Sequence, residues 1–256
     1  MWAFTFVTSR DATWRDLREG EAGQQPPFSV FAAEHASFTL ERVTAAHVEV
    51  EWRAGSWSLP PNAMDPHLRD LLREIETHGR ENDAHATERA RKMLNLEPAS
   101  AQLLSILVRA GGVSRALEFG TSNGYSTIWL AWSMAAAGGR IVSIDRNPDK
   151  HTLALENLRR AGFLDRVELR TGDVLEIVRQ LPGPFDLLFL DADRTKFPEV
   201  LHLLLPKLTP RAFVIADNVT SHPEEIAEYL KLISSLADFQ HTIVPVGKGL
   251  SIAFRG

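Results

Sequence analysis

Short apolar runs alternating with helix-length stretches constrain this chain more than any other feature. The runs cover residues 116–119, 141–144, 167–169, 185–190 and 213–216, and helical stretches at 125–137, 148–161 and 197–205 fall between them. A strand buried on both faces reads as a continuous apolar run, and crossover helices are what cover both faces of a parallel sheet. Upstream, Leu68, Leu71, Leu72 and Ile75 recur at helical spacing within residues 65–91, with Pro66 suited to a first turn. Pro98 opens a further helix carrying Leu103, Leu104, Leu107 and Val108, which stops at Gly111-Gly112. The end differs: residues 242–245 and 250–254 flank Val246-Gly247-Lys248-Gly249, a pattern for two antiparallel strands joined by a glycine-bearing turn. The expectation is an α/β fold, with ligands bound beyond the carboxyl ends of the strands.

The first sixty residues have another texture. They hold four of the six tryptophans, Trp2, Trp14, Trp52 and Trp57, and strand-like runs at 28–31 and 37–52. Pro60-Pro61 breaks that pattern. We therefore expect a small β-rich extension over 1–62, without a catalytic role, and one main domain over 63–256. An apolar fraction of 44% with 24% charged residues fits a globular chain. A net charge of -5 gives no electrostatic case for nucleic acid or an anionic membrane as partner. No cysteine is present, so disulfides, thiolate metal sites and a cysteine nucleophile are excluded. No run approaches the roughly 18 apolar residues of a membrane helix, and a cytoplasmic protein is expected.

The run LEFGTSNGYST, residues 117–127, carries the first chemistry. A buried strand ends at Phe119. Gly120 allows a sharp turn, and Gly124 allows close approach at a helix start. Glu118 sets a carboxylate at the strand end. Thr121, Ser126 and the amides of the helix start can meet an anionic group such as a methionine carboxylate. A dinucleotide site favours GxGxxG, so GxxxG here argues against an NAD-dependent oxidoreductase. Asp145 closes the second strand and can accept from ribose hydroxyls, or it can cap the helix that begins near Pro148. Asp173 follows the third strand and can accept from an adenine amino group, or cap the helix starting at Val174.

With these residues in place, the region from about Met64 onward resembles the cation-dependent O-methyltransferases related to catechol and caffeoyl-CoA O-methyltransferases. The likeness rests on LEFGTSNGYST, IVSIDRNP (141–148), LDAD (190–193), ADN (216–218) and VPVGKGLSIAF (244–254). It implies a Rossmann-like seven-stranded, mostly parallel sheet with helices on both faces and the last strand antiparallel. It further implies S-adenosyl-L-methionine as cosubstrate, a small-molecule hydroxyl acceptor and a homodimer. Asp191 ends the fourth strand and Asp217-Asn218 the fifth, so their oxygens can converge as a hard ligand set suited to Mg²⁺. Loop capping is the plainer role for such residues, and the match to the family's ligand positions favours the metal. A phenol ionises near pH 10 unaided, which is why a divalent cation beside its oxygen assists transfer. Asp193 resembles a position on the cosubstrate side.

Departures from the family pattern bear on the acceptor. Arg194 stands where a lysine base is usual, and a guanidinium is a poor proton acceptor. Lys196 can substitute if the loop turns suitably, and Phe197 replaces a tyrosine. The segment after Asn218 lacks a tryptophan-bearing substrate loop; His222 within it is a candidate base or a helix cap. Two other readings stay open: a methyltransferase acting on RNA or protein, and a non-catalytic S-adenosylmethionine-binding protein.

Overall fold

The structure, a computed structural model, describes residues 64–256; the expected extension over 1–62 lies outside the described residues. Seven strands form one sheet: β1 (Arg115–Phe119), β2 (Arg140–Asp145), β3 (Val167–Thr171), β4 (Phe185–Leu190), β5 (Leu208–Ala216), β6 (Phe239–Val244) and β7 (Leu250–Arg255). Their spatial order is β3-β2-β1-β4-β5-β7-β6. β1 to β5 pair in parallel, and β7 runs antiparallel to both β5 and β6. The Rossmann-like sheet with a reversed last strand is therefore the one expected. Strand order changes direction between β1 and β4, and a crevice opens at such a switch point.

Seven helices cover the sheet: α1 (Pro66–His85), α2 (Pro98–Ala110), α3 (Tyr125–Met134), α4 (Pro148–Ala161), α5 (Val174–Gln180), α6 (Phe197–Leu204) and α7 (Pro223–Ser235), among the described residues. Side chains alternate across each strand. Leu117, Leu188 and Val214 thus meet Val178 of α5, Leu201 of α6 and Tyr229 of α7 on one face. Ala116, Leu187, Phe189 and Ile215 meet Leu72 of α1, Leu104 of α2, Ile128 of α3 and Leu158 of α4 on the other. Burying each such aliphatic or aromatic side chain contributes roughly 1.5–3 kcal/mol, so the strand ends that carry the site are held rigidly.

Some boundaries differ from expectation. α1 stops at His85 rather than near Arg91, because its buried stripe ends at Ile75 and Gly79, and a short 3-10 turn (Arg89–Arg91) follows. β5 begins at Leu208, earlier than its apolar run; its register on β4 shifts between Phe185 and Leu187, which accommodates the polar residues and Pro210. The segment after Asn218 forms α7 with Pro223 in its first turn. Among the described residues no helix is long and apolar enough to cross a membrane.

Candidate active site

β1 and β4 end side by side, and the chain leaves β1 through Gly120. There φ is +116, and a Cβ would stand 2.0 Å from the Asp191 carbonyl oxygen. Only glycine lets the two strand ends approach this closely. The loop then turns through Ser122 (φ 47) and Gly124 (φ 85), the residue that caps α3.

Glu118 lies beneath this loop and is fully buried. Its carboxylate accepts from the Ser126 hydroxyl at 2.6 Å, and from Thr127 and Ser143 at 2.5 Å each. Thr121 is buried too, with its hydroxyl 2.6 Å from that of Ser143. Glu118, Thr121 and Ser126 are thus engaged with one another's surroundings. They anchor the first turn of α3 rather than present free oxygens. Burial pushes the Glu118 carboxyl up to about 7 against the three donated hydroxyl bonds.

Asp145, at the end of β2, accepts the Ser122 N–H at 2.8 Å and the Asn147 N–H at 2.9 Å. It pins the glycine loop, and the capping role on α4 falls to Asn147, which accepts from the Asp149 N–H. Asp173 is exposed and caps α5 through the N–H groups of Leu175 and Glu176. Asp193 also caps, accepting from the N–H and hydroxyl of Thr195.

The other wall of the crevice comes from a segment that the sequence pattern does not single out. Ser122 donates its hydroxyl to the Met93 carbonyl at 2.5 Å, and Asp83 accepts the N–H groups of Met93 and Leu94. These bonds lay residues 94–96 across the loop, and together with Asp191 they line a small cleft with Gly120 to Asn123, Tyr125 and Ser126. Leu94 holds φ 51 and stays exposed at the rim. Lys150, also not singled out, is half-buried near Asp145, and burial lowers its pKa against that carboxylate's pull. A larger cavity of about 450 Å³ opens at the opposite, amino end of the strands beside Arg115, Arg140 and Arg166. It holds none of the strand-end carboxylates, and chemistry at switch points sits at the carboxyl end.

Asp191 and Asp217 come together as expected. Asn218, in the left-handed region at φ 63, donates its side-chain amide to Asp191 Oδ1 at 3.1 Å. A half-turn of that amide presents its carbonyl oxygen to the same point. Asp217 is buried, and its Oδ1 has no hydrogen-bond partner among the described residues. An orphaned buried carboxylate oxygen is costly unless something cationic meets it. Burial first, then Glu118 and Glu97 for Asp191, and Asp191 and Glu97 for Asp217, hold both carboxyls well above the ordinary range. Two carboxylates and an amide in this state fit a hard divalent cation. No group of three or more His, Cys, Asp or Glu that could hold a metal ion occurs among the described residues; the third member here is an asparagine.

These shifts have a consequence for the metal-free protein. An acid whose folded pKa is raised stabilises the fold below its unfolded pKa, near 4, and loses that contribution as pH rises through the folded value. For Glu118 that window closes near pH 7. In EDTA, the melting temperature is expected to be lower at pH 8 than at pH 5.5 by at least about 3 °C. A melt that is flat over this interval would show the acids to be unperturbed.

The three residues expected to act on the acceptor differ in their surroundings. Arg194 is buried, and its guanidinium donates to Glu225 Oε2 on α7 at 2.8 and 3.0 Å. Lys196 is half-buried; its N–H donates to the Asp193 carbonyl at 3.0 Å, and among the described residues its side chain makes no hydrogen bond or ion pair. His222 is exposed at the start of α7, with Nδ1 2.8 Å from the Ser221 hydroxyl. Arg194 does grip a carboxylate, but one of its own chain. Glu225→Ala leaves that guanidinium buried and unpaired, with an expected loss of about 1–3 kcal/mol, moderated because Glu225 is half-exposed. A lowered melting temperature at unchanged cosubstrate affinity is the outcome anticipated. A changed acceptor KM at unchanged melting temperature would instead put Arg194 in the acceptor chemistry.

Comparison with known proteins agrees with this geometry. A family model described as O-methyltransferase matches residues 71–234. A catechol O-methyltransferase of Niastella koreensis is 32% identical over 167 residues, which cover 61% of this chain and 72% of that protein. A catechol O-methyltransferase of Mycobacterium tuberculosis is 39% identical over 119 residues, 46% of this chain and 54% of that one. Among solved structures, the O-methyltransferase from Bacillus cereus in complex with SAH has a TM-score of 0.63 at 28% identity. That match covers 76% of this chain and 92% of its own.

Proposed function

Given that the chain belongs to the O-methyltransferase family, we propose that it methylates a phenolic or catechol-like hydroxyl of a small molecule, with a divalent cation, Mg²⁺ by preference, held by Asp191, Asp217 and Asn218. Methyl transfer from S-adenosylmethionine to oxygen is the family's chemistry; the cation and the class of acceptor are our reading. The observation that carries it is the orphaned Asp217 Oδ1, buried beside a second carboxylate at the switch point.

When bound, the cosubstrate supplies a methyl group on sulfonium sulfur, and the cation supplies positive charge opposite the acceptor oxygen. The chain's own residues do the rest. The loop from Gly120 to Gly124 and the amino end of α3 receive the methionine carboxylate on backbone N–H groups. Glu118, Ser126 and Thr127 hold those N–H groups in place. Asp145 would accept from the ribose hydroxyls and Asp173 from the adenine amino group. Leu94 sets an apolar side chain at the rim of the cleft. Transfer would form the new O–C bond as the S–C bond breaks, leaving S-adenosylhomocysteine as the product and the hydroxyl proton to water. Positioning the two reactants in line is itself a large part of the rate.

Methyl transfer to catechols, flavonoids and hydroxycinnamates, measured with and without EDTA, tests the proposal. Transfer that chelation abolishes and Mg²⁺ restores supports it. Transfer indifferent to EDTA overturns the cation's part, and inactivity on every phenol overturns the acceptor class.

A further inference from the structure

With Arg194 committed to Glu225, the cationic group on the acceptor side must come from elsewhere. Lys248 sits in the turn between β6 and β7, and its backbone is clamped to the segment that follows the Asp217-Asn218 pair. The Lys248 carbonyl accepts the Thr220 N–H at 3.0 Å and the Thr220 hydroxyl at 2.6 Å, while the Gly249 carbonyl accepts the Val219 N–H at 3.1 Å. Its ammonium pairs with Glu97 Oε1 at 3.2 Å. Glu97 follows the cleft-lining residues 94–96 directly and precedes α2. The ion pair therefore ties the hairpin turn to the segment that continues the cleft wall. Gly247 is part of the same arrangement: at φ +57, a Cβ there would stand 2.7 Å from Glu97 Oε2. A side chain at 247 would push the carboxylate away.

Both charges are felt at the two acids. Lys248 lowers, and Glu97 raises, the pKa of Asp191 and of Asp217. The pair is partly exposed, with 55% and 31% of the side-chain surface open, so as a stability device it is worth little. Its placement suits another task. An ammonium on a flexible stem can leave Glu97 and turn to a second anion without backbone movement.

We propose that Lys248 is the cationic residue that stabilises the acceptor oxyanion, held ready by Glu97, in place of the arginine committed to α7. This rests on the phenolic O-methyltransferase reading. Removing the ammonium makes the acceptor hydroxyl harder to ionise, so the pH profile of kcat/KM moves alkaline. Removing Glu97 leaves the ammonium unopposed, so the profile moves acid.

The test is that profile for Lys248→Met, Lys248→Arg and Glu97→Gln in the full chain, with Mg²⁺ and one phenol that the wild type methylates. Lys248→Met is expected to lose roughly tenfold in kcat/KM at pH 7 and to shift the profile alkaline by roughly half to one pH unit. Lys248→Arg should stay within about threefold of wild type, because the charge is kept. Glu97→Gln should shift the profile the opposite way, and cosubstrate affinity by titration calorimetry should be unchanged in all three. Coincident profiles for Lys248→Met and wild type overturn the proposal. If Lys248→Met does not fold, an unshifted or alkaline-shifted Glu97→Gln profile overturns it equally. A wild type inactive on every phenol overturns the functional reading and this inference with it, whereas an active wild type with coincident profiles overturns this inference alone.

Discussion

Asp217→Ala is expected to lower kcat/KM for a phenolic acceptor roughly a thousandfold while leaving cosubstrate affinity near wild type. A divalent cation stabilises developing oxyanion charge by several kcal/mol, and each 1.36 kcal/mol is tenfold in rate. Asp217 is the member of the set with a buried oxygen that nothing among the described residues satisfies, so its loss should cost the most. The same substitution should not destabilise the metal-free fold. Removing a desolvated carboxylate removes a penalty rather than a contact, so in EDTA at pH 8 the variant should melt no lower than the wild type. Loss of activity together with retained melting temperature separates a chemical role from a scaffolding one. Wild-type turnover in Asp217→Ala would end the assignment of a cation to these residues. Steady-state kinetics and a thermal melt decide the matter together.

The second large effect is expected at Gly120. Alanine there meets the Asp191 carbonyl oxygen at 2.0 Å and must hold a φ of +116 that side-chain-bearing residues avoid. Neither partner can step aside. The Asp191 N–H is bonded to the Phe119 carbonyl at 2.8 Å, and the Asp217 N–H to the Leu190 carbonyl at 2.9 Å, so backbone displaced at β1 is displaced at β4 and β5 as well. Gly120→Ala should therefore cost more than about 3 kcal/mol and weaken cosubstrate binding by more than about 100-fold. Gly138→Ala is the control: φ is +66, but a Cβ there meets nothing within 4 Å, and a loss of about 1 kcal/mol is expected. Equal melting temperatures for the two variants would contradict the close approach at Gly120.

Much of this was legible in the sequence, for physical reasons that can be named. β2, β4 and α4 lie where their patterns put them, because strands buried on both faces are uniformly apolar and Pro148 marks a helix start. The convergence of Asp191 with Asp217 follows from residues that end neighbouring strands. What the pattern could not reveal depends on tertiary contacts. Arg194 and Glu225 lie on different elements, and neither residue type announces a partner so far along the chain. Leu94 and Glu97 belong to a segment without periodicity, whose placement is set by bonds to Ser122 and to Asp83 of α1 rather than by a stripe of its own. Glu118 shows the opposite case. Its position at a strand end was plain, but its engagement by three hydroxyls required the register of β1 on β2 and the first turn of α3.

The reversal of β7 also decides where the chain's last residues go. Ser251 pairs with Ala216 at the edge that carries the site, and Phe254 with Phe213 nearer the other end. By Arg255 the chain has crossed the sheet: that side chain bonds Asp238 and the Leu205 and Leu208 carbonyls, and the Gly256 N–H bonds the Asp238 carbonyl. A strand parallel to its neighbours would have delivered this end into the crevice. Chain continued beyond Gly256, an affinity handle or a fluorophore included, therefore starts at the end of the sheet away from the reacting groups.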